Sequence, residues 1–390
     1  MYKLNKFIFD EPTKIICGQG AINDLAAEIK RLGAKSAVVV CDEGIVKAGV
    51  ADTVMNAAKE AEGVSLSLFD KIIANPFDTT IDAGFEFAKS RDADLIIGVG
   101  GGSAMDSAKG IALLMTNGGK TRDYLMDGKV VEKRIAANIL IPTTAGTGSE
   151  VTRTVVATDS VTKFKDGFKY GDTIFADVAI LDPVLMATLP APVLAACAMD
   201  ALTHAIESYI TWKSNPITDA LNEGAIRLIA ENIRTAYCRP EDMDAKEALL
   251  LASCITGIAF DQAGLGLAHC MGHPMGGLFN VPHGVACAMA LPVTMNFNKL
   301  ACTDKMAKIA DMLGADTAGM TKREAAEEAI DIIYEMMDEL NLPLTLAEVG
   351  IDEKDIPALS RDAMGFPGMR GANPRIATEK DVEALFRELL

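Results

Sequence analysis

The sequence predicts an α/β N-terminal domain built on a parallel sheet, followed by an all-α C-terminal domain. Three observations carry this. In the first half, short β-branched runs alternate with segments of helical period, the signature of βαβ units. After "ILDPVLMATLP" (180–190) the strand signal fades into Ala, Leu, Met, Glu and Lys at helical spacing. A chain of 390 residues also exceeds what one hydrophobic core commonly supports.

Taken in order, "TKIIC" (13–17), "SAVVVC" (36–41), "VSLSLF" (64–69), "DLIIGVG" (94–100) and "ANILIPTT" (137–144) read as strands. Residues 21–33, 45–61, 79–91 and 103–116 between them carry the apolar period of helices. Runs as apolar as "AVVV" fit strands covered on both faces. In the second half, 218–237 and 321–340 are the clearest helices. The expected domains are 1–185 and 186–390.

The formal net charge of −17 is spread along the chain, which disfavours nucleic acid and anionic membrane as partners, since phosphates demand a basic surface. The N-terminal twenty residues contain no apolar core of secretory length, and no run approaches a membrane span. The eight cysteines form neither a C-x-x-C pair nor a disulfide-like framework, so a cytoplasmic location is expected.

Two glycine runs compete for a nucleotide. "GQGAIN" (18–23) lies between a strand and a helix, with Asp42 twenty-two residues beyond Gly20, close to the dinucleotide fingerprint. Its third glycine position is Asn, and a plain strand–helix turn explains it equally well. "GVGGGSAMDSAKG" (98–110) follows the most apolar strand and opens a helix. Glycines without a Cβ let a phosphate approach backbone N–H groups at a helix N-terminus, so Gly101, Gly102 and Ser103 are the stronger candidates. Ser103 and Asp106 have the spacing of a capping box. The loop "IPTTAGTGSEVT" (141–152) suits a ribose, phosphate or amide, or is merely a polar turn.

All four histidines fall in two short segments. In "AMDALTHAIESY" (198–209), Asp200 and His204 are i and i+4 on one helix face. In "LGLAHCMGHPMGGLFNVPHG" (265–284), His269 and His273 repeat that spacing and His283 follows. Such imidazoles with one carboxylate are borderline donors that suit Fe2+ or Zn2+. Cys270 and Met271 beside His269 read as packing.

Together "GGGSAMDSAK", "PTTAGTGSEVT", "ILDPVLMATLP", "MDALTHAIESYI", "GLGLAHCMGHPMGGLFNVPHG" and "NPR" (373–375) resemble the iron-containing alcohol dehydrogenases, nearly end to end. The similar branches are the lactaldehyde reductase, 1,3-propanediol dehydrogenase and bacillary methanol dehydrogenase types. The resemblance implies the dehydroquinate synthase-like architecture, with catalysis in a cleft between the domains. It assigns the metal to Asp200, His204, His269 and His283, one helix bending back after "GG" and "P" to bring the last two together. It leaves His273 beside the site as a proton relay. It puts the NAD diphosphate on Gly101, Gly102 and Ser103, with Asp106 in the same helix turn. Asn75, Thr143, Thr144, Thr147 and Lys165 are placed at further cofactor positions, and Asp42 at the adenine ribose. The implied reaction is hydride transfer between NAD(H) and a short-chain primary alcohol or aldehyde. A homodimer or higher homo-oligomer is the expected assembly.

A metal-dependent hydrolase or lyase with structural glycine loops is the alternative from another class. For the substrate, Thr154, Phe260 and Arg370 are the contact candidates. "GMRGANPR" (368–375) sets Met369 and Arg370 where relatives carry small uncharged residues. Arg370 either turns to solvent or holds an anionic group on a short aldehyde, such as a semialdehyde or sulfoaldehyde, with Arg153 as a second cation.

Overall fold

A computed structural model describes residues 6–171 and 173–390. Residues 1–5, within the N-terminal stretch read above for a secretory segment, lie outside the described residues. The chain forms two compact units, one of residues 11–189 and one of 190–390 together with the N-terminal segment. Within the latter, Gln262 Nε2 donates to the Asp10 carbonyl at 2.8 Å.

The first unit is a six-stranded parallel sheet in the order β1-β8-β5-β4-β2-β3, comprising β1 Lys14–Cys17, β2 Ser36–Asp42, β3 Ser65–Ile72, β4 Leu95–Gly100, β5 Ala137–Pro142 and β8 Val178–Leu181. Its helices are α1 Leu25–Leu32, α2 Glu43–Lys47, α3 Val50–Lys59, α4 Asp78–Ser90, α5 Gly102–Asn117 and α6 Thr121–Leu125. A hairpin of β6 Thr154–Thr158 and β7 Lys165–Lys169 forms a separate antiparallel pair.

Alternation along the strands fills both faces. Val38, Val40, Ile96 and Leu140 pack with Ile81 of α4 and Met105 and Ile111 of α5. Val39, Ile97, Ile139 and Ile180 pack with Leu25 and Ile29 of α1 and Val54 of α3. Gly98 lets α5 lie close on β4, for a Cβ there would stand 2.7 Å from the Ala108 Cβ.

Three expectations are corrected. The 45–61 helix is two helices, because Asp42 caps α2 through Gly44 N and Ile45 N and Gly49 then takes φ 76°. The capping box at Ser103 does not form, since α5 starts at Gly102 with Gly101 as its N-cap and no side-chain cap. β6, β7 and β8 carry no expected strand.

The second unit is helical: α7 Ala191–Ile210, α8 Pro216–Cys238, α9 Met243–Ala263, α10 Leu267–Phe279, α11 His283–Asn298, α12 Thr303–Met312, α13 Lys322–Glu339, α14 Ile356–Ala363, α15 Pro367–Ala372 and α16 Glu379–Arg387. No single described helix is long and apolar enough to cross a membrane. The histidine-rich stretch is not one bent helix. Asn280 at φ 56° ends α10, and Pro282 then caps α11.

Candidate active site

The metal-type donors gather where α7, α10 and α11 meet. Asp200 Oδ1 stands 3.8 Å from Nε2 of His269 and 3.8 Å from Nε2 of His283. Tetrahedral donors on one ion, each at about 2.1 Å, would be about 3.4 Å apart, so only a few tenths of an ångström of closure is required. Asp200 Oδ1 and His269 Nε2 are buried without a hydrogen-bond partner. Leaving two such atoms unpaired beside each other is costly. A cation between them would satisfy both, so the donor set fits a divalent metal. Ligand atoms of Asp200, His269, His283 and Cys287 all lie within 4.8 Å of one another. The His283 side chain is 30% exposed, the most open of these donors.

Two features force this meeting. At Gly284, a Cβ would be driven into the Ala196 carbonyl oxygen, with the carbonyl carbon only 2.8 Å away. The missing side chain is what lets α11 touch α7. The second is Glu207, one turn beyond His204 and overlooked in the sequence. It accepts from Gly266 N at 3.1 Å and Ala268 N at 2.6 Å, and meets His269 Nδ1 at 2.6 Å. That carboxylate fixes the ring so that Nε2 faces Asp200, the outer-shell arrangement common to metal-bound histidines. Burial disfavours a charged His269, but the Glu207 bond and the charges of Glu207 and Asp200 outweigh it and hold its pKa above the ordinary value.

His204 stacks between Phe260 at 4.4 Å and His269 at 4.5 Å, so its ring is at the centre although outside that donor group. His273 lies 5.4 Å from the His283 ring and stacks on Phe366 at 4.6 Å. Arg370, one turn after Phe366, buries its Nε without a hydrogen-bond partner. The "NPR" segment is structural: Asn373 exchanges amide hydrogen bonds with Asn298, and Arg375 Nη1 donates to the Phe297 carbonyl.

In the sheet unit, the second glycine run holds the favourable position. The chain goes from β2 outward to β3 and then back to β4 on the other side of β2, a topological switch point where α/β sheets bind ligands. Asp42 ends β2, and Gly101 and Gly102 follow β4. They line a cavity of about 620 Å³ with Glu43, Asp70, Ser103 and Thr144. "GQG" instead follows β1 at the sheet's edge.

The loop after β5 lies over the glycines, with a Cβ on Gly101 meeting Thr144 Oγ1 at 3.3 Å and one on Gly102 meeting Thr147 Cγ2 at 2.9 Å. Thr143 N donates to the Gly100 carbonyl at 3.0 Å. Asn75 N donates to Ser103 Oγ at 3.3 Å, and Lys165 Nζ donates to Asn75 Oδ1 at 2.8 Å, so these three converge. Asp106 faces inward instead, accepting from Ser149 Oγ at 2.5 Å and Val156 N at 3.1 Å and pairing with Lys109 at 2.9 Å. Lys109, also overlooked, is fully buried and donates to the Ser149 and Thr154 carbonyls, pinning the loop to α5. Thr154 contributes that carbonyl from β6.

Beside it, Glu150 is fully buried. Burial pushes its carboxyl up to about 7, against the pull of its own backbone N–H and of the Lys109 charge. Because the folded state holds this proton above the ordinary 4.5, the stability from this group is full below pH 4.5 and is lost as pH rises to about 7. The loss amounts to roughly 3 kcal/mol at most. Urea unfolding from pH 5 to 8 should show this slope in the parent and a flatter line in Glu150→Gln; parallel lines would refute the assignment.

A parallel-sheet unit with a glycine-lined cavity at its switch point and a helical unit with a buried carboxylate–imidazole cluster fit a metal-linked oxidoreductase. The chain belongs to the iron-containing alcohol dehydrogenase family: residues 12–183 match the iron-containing alcohol dehydrogenase model, and residues 194–390 the Fe-containing alcohol dehydrogenase family, C-terminal model. It is 36% identical to the NAD-dependent methanol dehydrogenase of Bacillus methanolicus, over 97% of this chain and 98% of that one. A crystal structure of 1,3-propanediol oxidoreductase superposes with a TM-score of 0.95 at 37% identity, over 99% of this chain and 100% of the other. A sulfoacetaldehyde reductase from Bifidobacterium kashiwanohense, solved with NAD+, gives 0.90 at 26% identity, over 99% of each chain. The protein is thus an alcohol/aldehyde oxidoreductase, and the hydrolase or lyase alternative loses its ground.

Proposed function

We propose that the protein transfers hydride between NAD(H) and a short-chain primary alcohol or aldehyde, favouring an aldehyde that carries an anionic group. The observation that carries the metal centre is the pair of buried, unpaired atoms, Asp200 Oδ1 and His269 Nε2, facing each other across 3.8 Å. Asp200, His204, His269 and His283 would hold Fe2+, or Zn2+. When bound, the cation supplies Lewis acidity toward a carbonyl oxygen and the nicotinamide supplies the hydride. Glu207 keeps His269 in its tautomer and orientation, and His273, on the same helix face, holds the proton that the product alcohol requires at its imidazole. A reducing cytoplasm suits the cysteine content, and a homodimer or larger homo-oligomer is the assembly we expect.

Gly101, Gly102 and Ser103 would receive the diphosphate on backbone N–H groups, with Asn75, Lys165 and the threonines around it. Asp42, Glu43 and Asp70 crowd the same cavity with carboxylates, which favours a ribose hydroxyl and repels a 2′-phosphate. Asp42→Asn keeps the oxygen that caps α2 while removing the charge. This variant should raise kcat/KM with NADPH relative to NADH by about tenfold. A parent enzyme that already prefers NADPH would remove Asp42 from this role.

Arg370 supports the anionic substrate. An arginine with a buried, unpaired Nε is not the solvated surface residue that arginine commonly is. It follows Phe366, the ring stacked on His273, by one turn. Charge-assisted bonds to a carboxylate or sulfonate would contribute about 1.5–3 kcal/mol. The test compares kcat/KM for lactaldehyde with that for succinic semialdehyde and sulfoacetaldehyde, using NADH and Fe2+. The parent should favour the anionic aldehydes, and Arg370→Ala should lose roughly tenfold to a hundredfold of that preference. Neutral aldehydes winning in the parent would leave only the unsubstituted alcohol reading.

A further inference from the structure

The donor group at the meeting of α7, α10 and α11 contains a sulfur that the four-ligand set of Asp200, His204, His269 and His283 does not use. Cys287 is one turn beyond His283 on α11, fully buried, with Sγ 3.7 Å from His283 Nε2. A nitrogen and a sulfur bound tetrahedrally to one zinc at about 2.05 and 2.3 Å are about 3.6 Å apart. The spacing is therefore already that of neighbouring donors on one ion. Sγ also belongs to the set that includes Asp200 and His269, whose buried Oδ1 and Nε2 have no other partner. The facing helix makes room for it: a Cβ at Gly272 would stand 2.9 Å from that sulfur.

We propose that Cys287 is an alternative fourth metal donor, so that the centre offers two overlapping sets. Asp200, His269 and His283 are common to both. His204 completes the harder one and Cys287 the softer one. Thiolate selects zinc or cobalt over a purely nitrogen and oxygen set, whereas imidazole completes a set suited to Fe2+. Coordination replaces the thiol proton by the metal and releases that proton to water, with no change of oxidation state. The sulfur would thus make the bound metal depend on which cations are available. This inference rests on the metal-centre reading above.

The experiment loads the metal-free full-length protein with Co2+ alone. The expected result is cobalt binding with a thiolate-to-cobalt charge-transfer band in the near ultraviolet, retained in His204→Ala and lost in Cys287→Ser. After equilibration with equal Zn2+ and Fe2+, the zinc-to-iron ratio by elemental analysis should fall about tenfold in Cys287→Ser. A measurement independent of any variant is X-ray absorption of the zinc-loaded parent, which should show one sulfur at about 2.3 Å. Cobalt bound without a thiolate band, a band that survives Cys287→Ser, or a zinc shell without sulfur would overturn the proposal and leave the nitrogen–oxygen centre standing. A parent protein that takes up no cobalt would overturn both.

Discussion

Asp200→Ala and His269→Ala should each yield protein without bound metal and with turnover reduced on the order of 10³-fold or more. A bound Lewis acid would supply several kcal/mol of charge stabilisation, and each factor of ten in rate corresponds to about 1.4 kcal/mol. The two variants part in stability. Asp200 in the metal-free protein is a buried carboxylate with one oxygen lacking a hydrogen bond, offset only by the His269 and His283 rings at 3.8 Å, so its removal should cost that protein less than the loss of His269. His269 is the side-chain partner of Glu207, and its removal takes away one charge-assisted bond while the Gly266 and Ala268 N–H groups still serve the carboxylate, at a cost of about 1.5–3 kcal/mol. Elemental analysis and urea unfolding of the metal-free proteins decide this. Full metal occupancy in either variant, or equal stabilities, would sink the assignment of Asp200 as a ligand and Glu207 as its partner's support.

Gly284→Ala should be among the most damaging single-methyl changes in the helical unit. The new carbon would overlap the Ala196 carbonyl oxygen and approach the Asp200 Cβ to 3.3 Å, and backbone cannot rotate away as a side chain would. Relief demands that α11 move off α7, at a cost of about 3 kcal/mol for such overpacking. Because His283 opens α11 and Asp200 sits on α7, the same displacement separates two metal donors. The variant should therefore lose affinity for Zn2+ together with stability. Gly277→Ala on α10, which would meet nothing within 4 Å, should leave Zn2+ affinity unchanged and raise stability by about 0.5–1 kcal/mol. Equal behaviour of the two variants would show that α7 and α11 are not held at this distance.

The legible part of the fold was its long, periodic part. "AVVV" and "DLIIGVG" are buried on both faces and carry an unmistakable signal, and β2 and β4 are interior strands of the sheet. β6, β7 and β8 have only four or five residues each, too few for period to separate strand from loop. At the site, Asp200 and His269 could be selected because ligand-type residues are rare in apolar helices and were repeated at i, i+4. Glu207 lay within the same quoted helix, but its role depends on α10 arriving 62 positions later in the chain. Cys287 shares the i, i+4 relation to His283, a signal that was present and was obscured by seven other cysteines. Which end of "GGGS" starts a helix is a matter of one residue, and that residue decided whether Ser103 capped α5 or met Asn75.

The N-terminal segment belongs to the helical unit, and this orders events during synthesis. Asp10 is made 252 residues before Gln262, the side chain that holds its carbonyl. At roughly 5–20 residues per second, about ten to fifty seconds separate the two on the ribosome. Residues 11–189 emerge complete within that interval and can collapse on their own sheet, while the segment that precedes them waits for helices not yet translated. Asp10, made early, is thus among the last residues to find its hydrogen-bond partner.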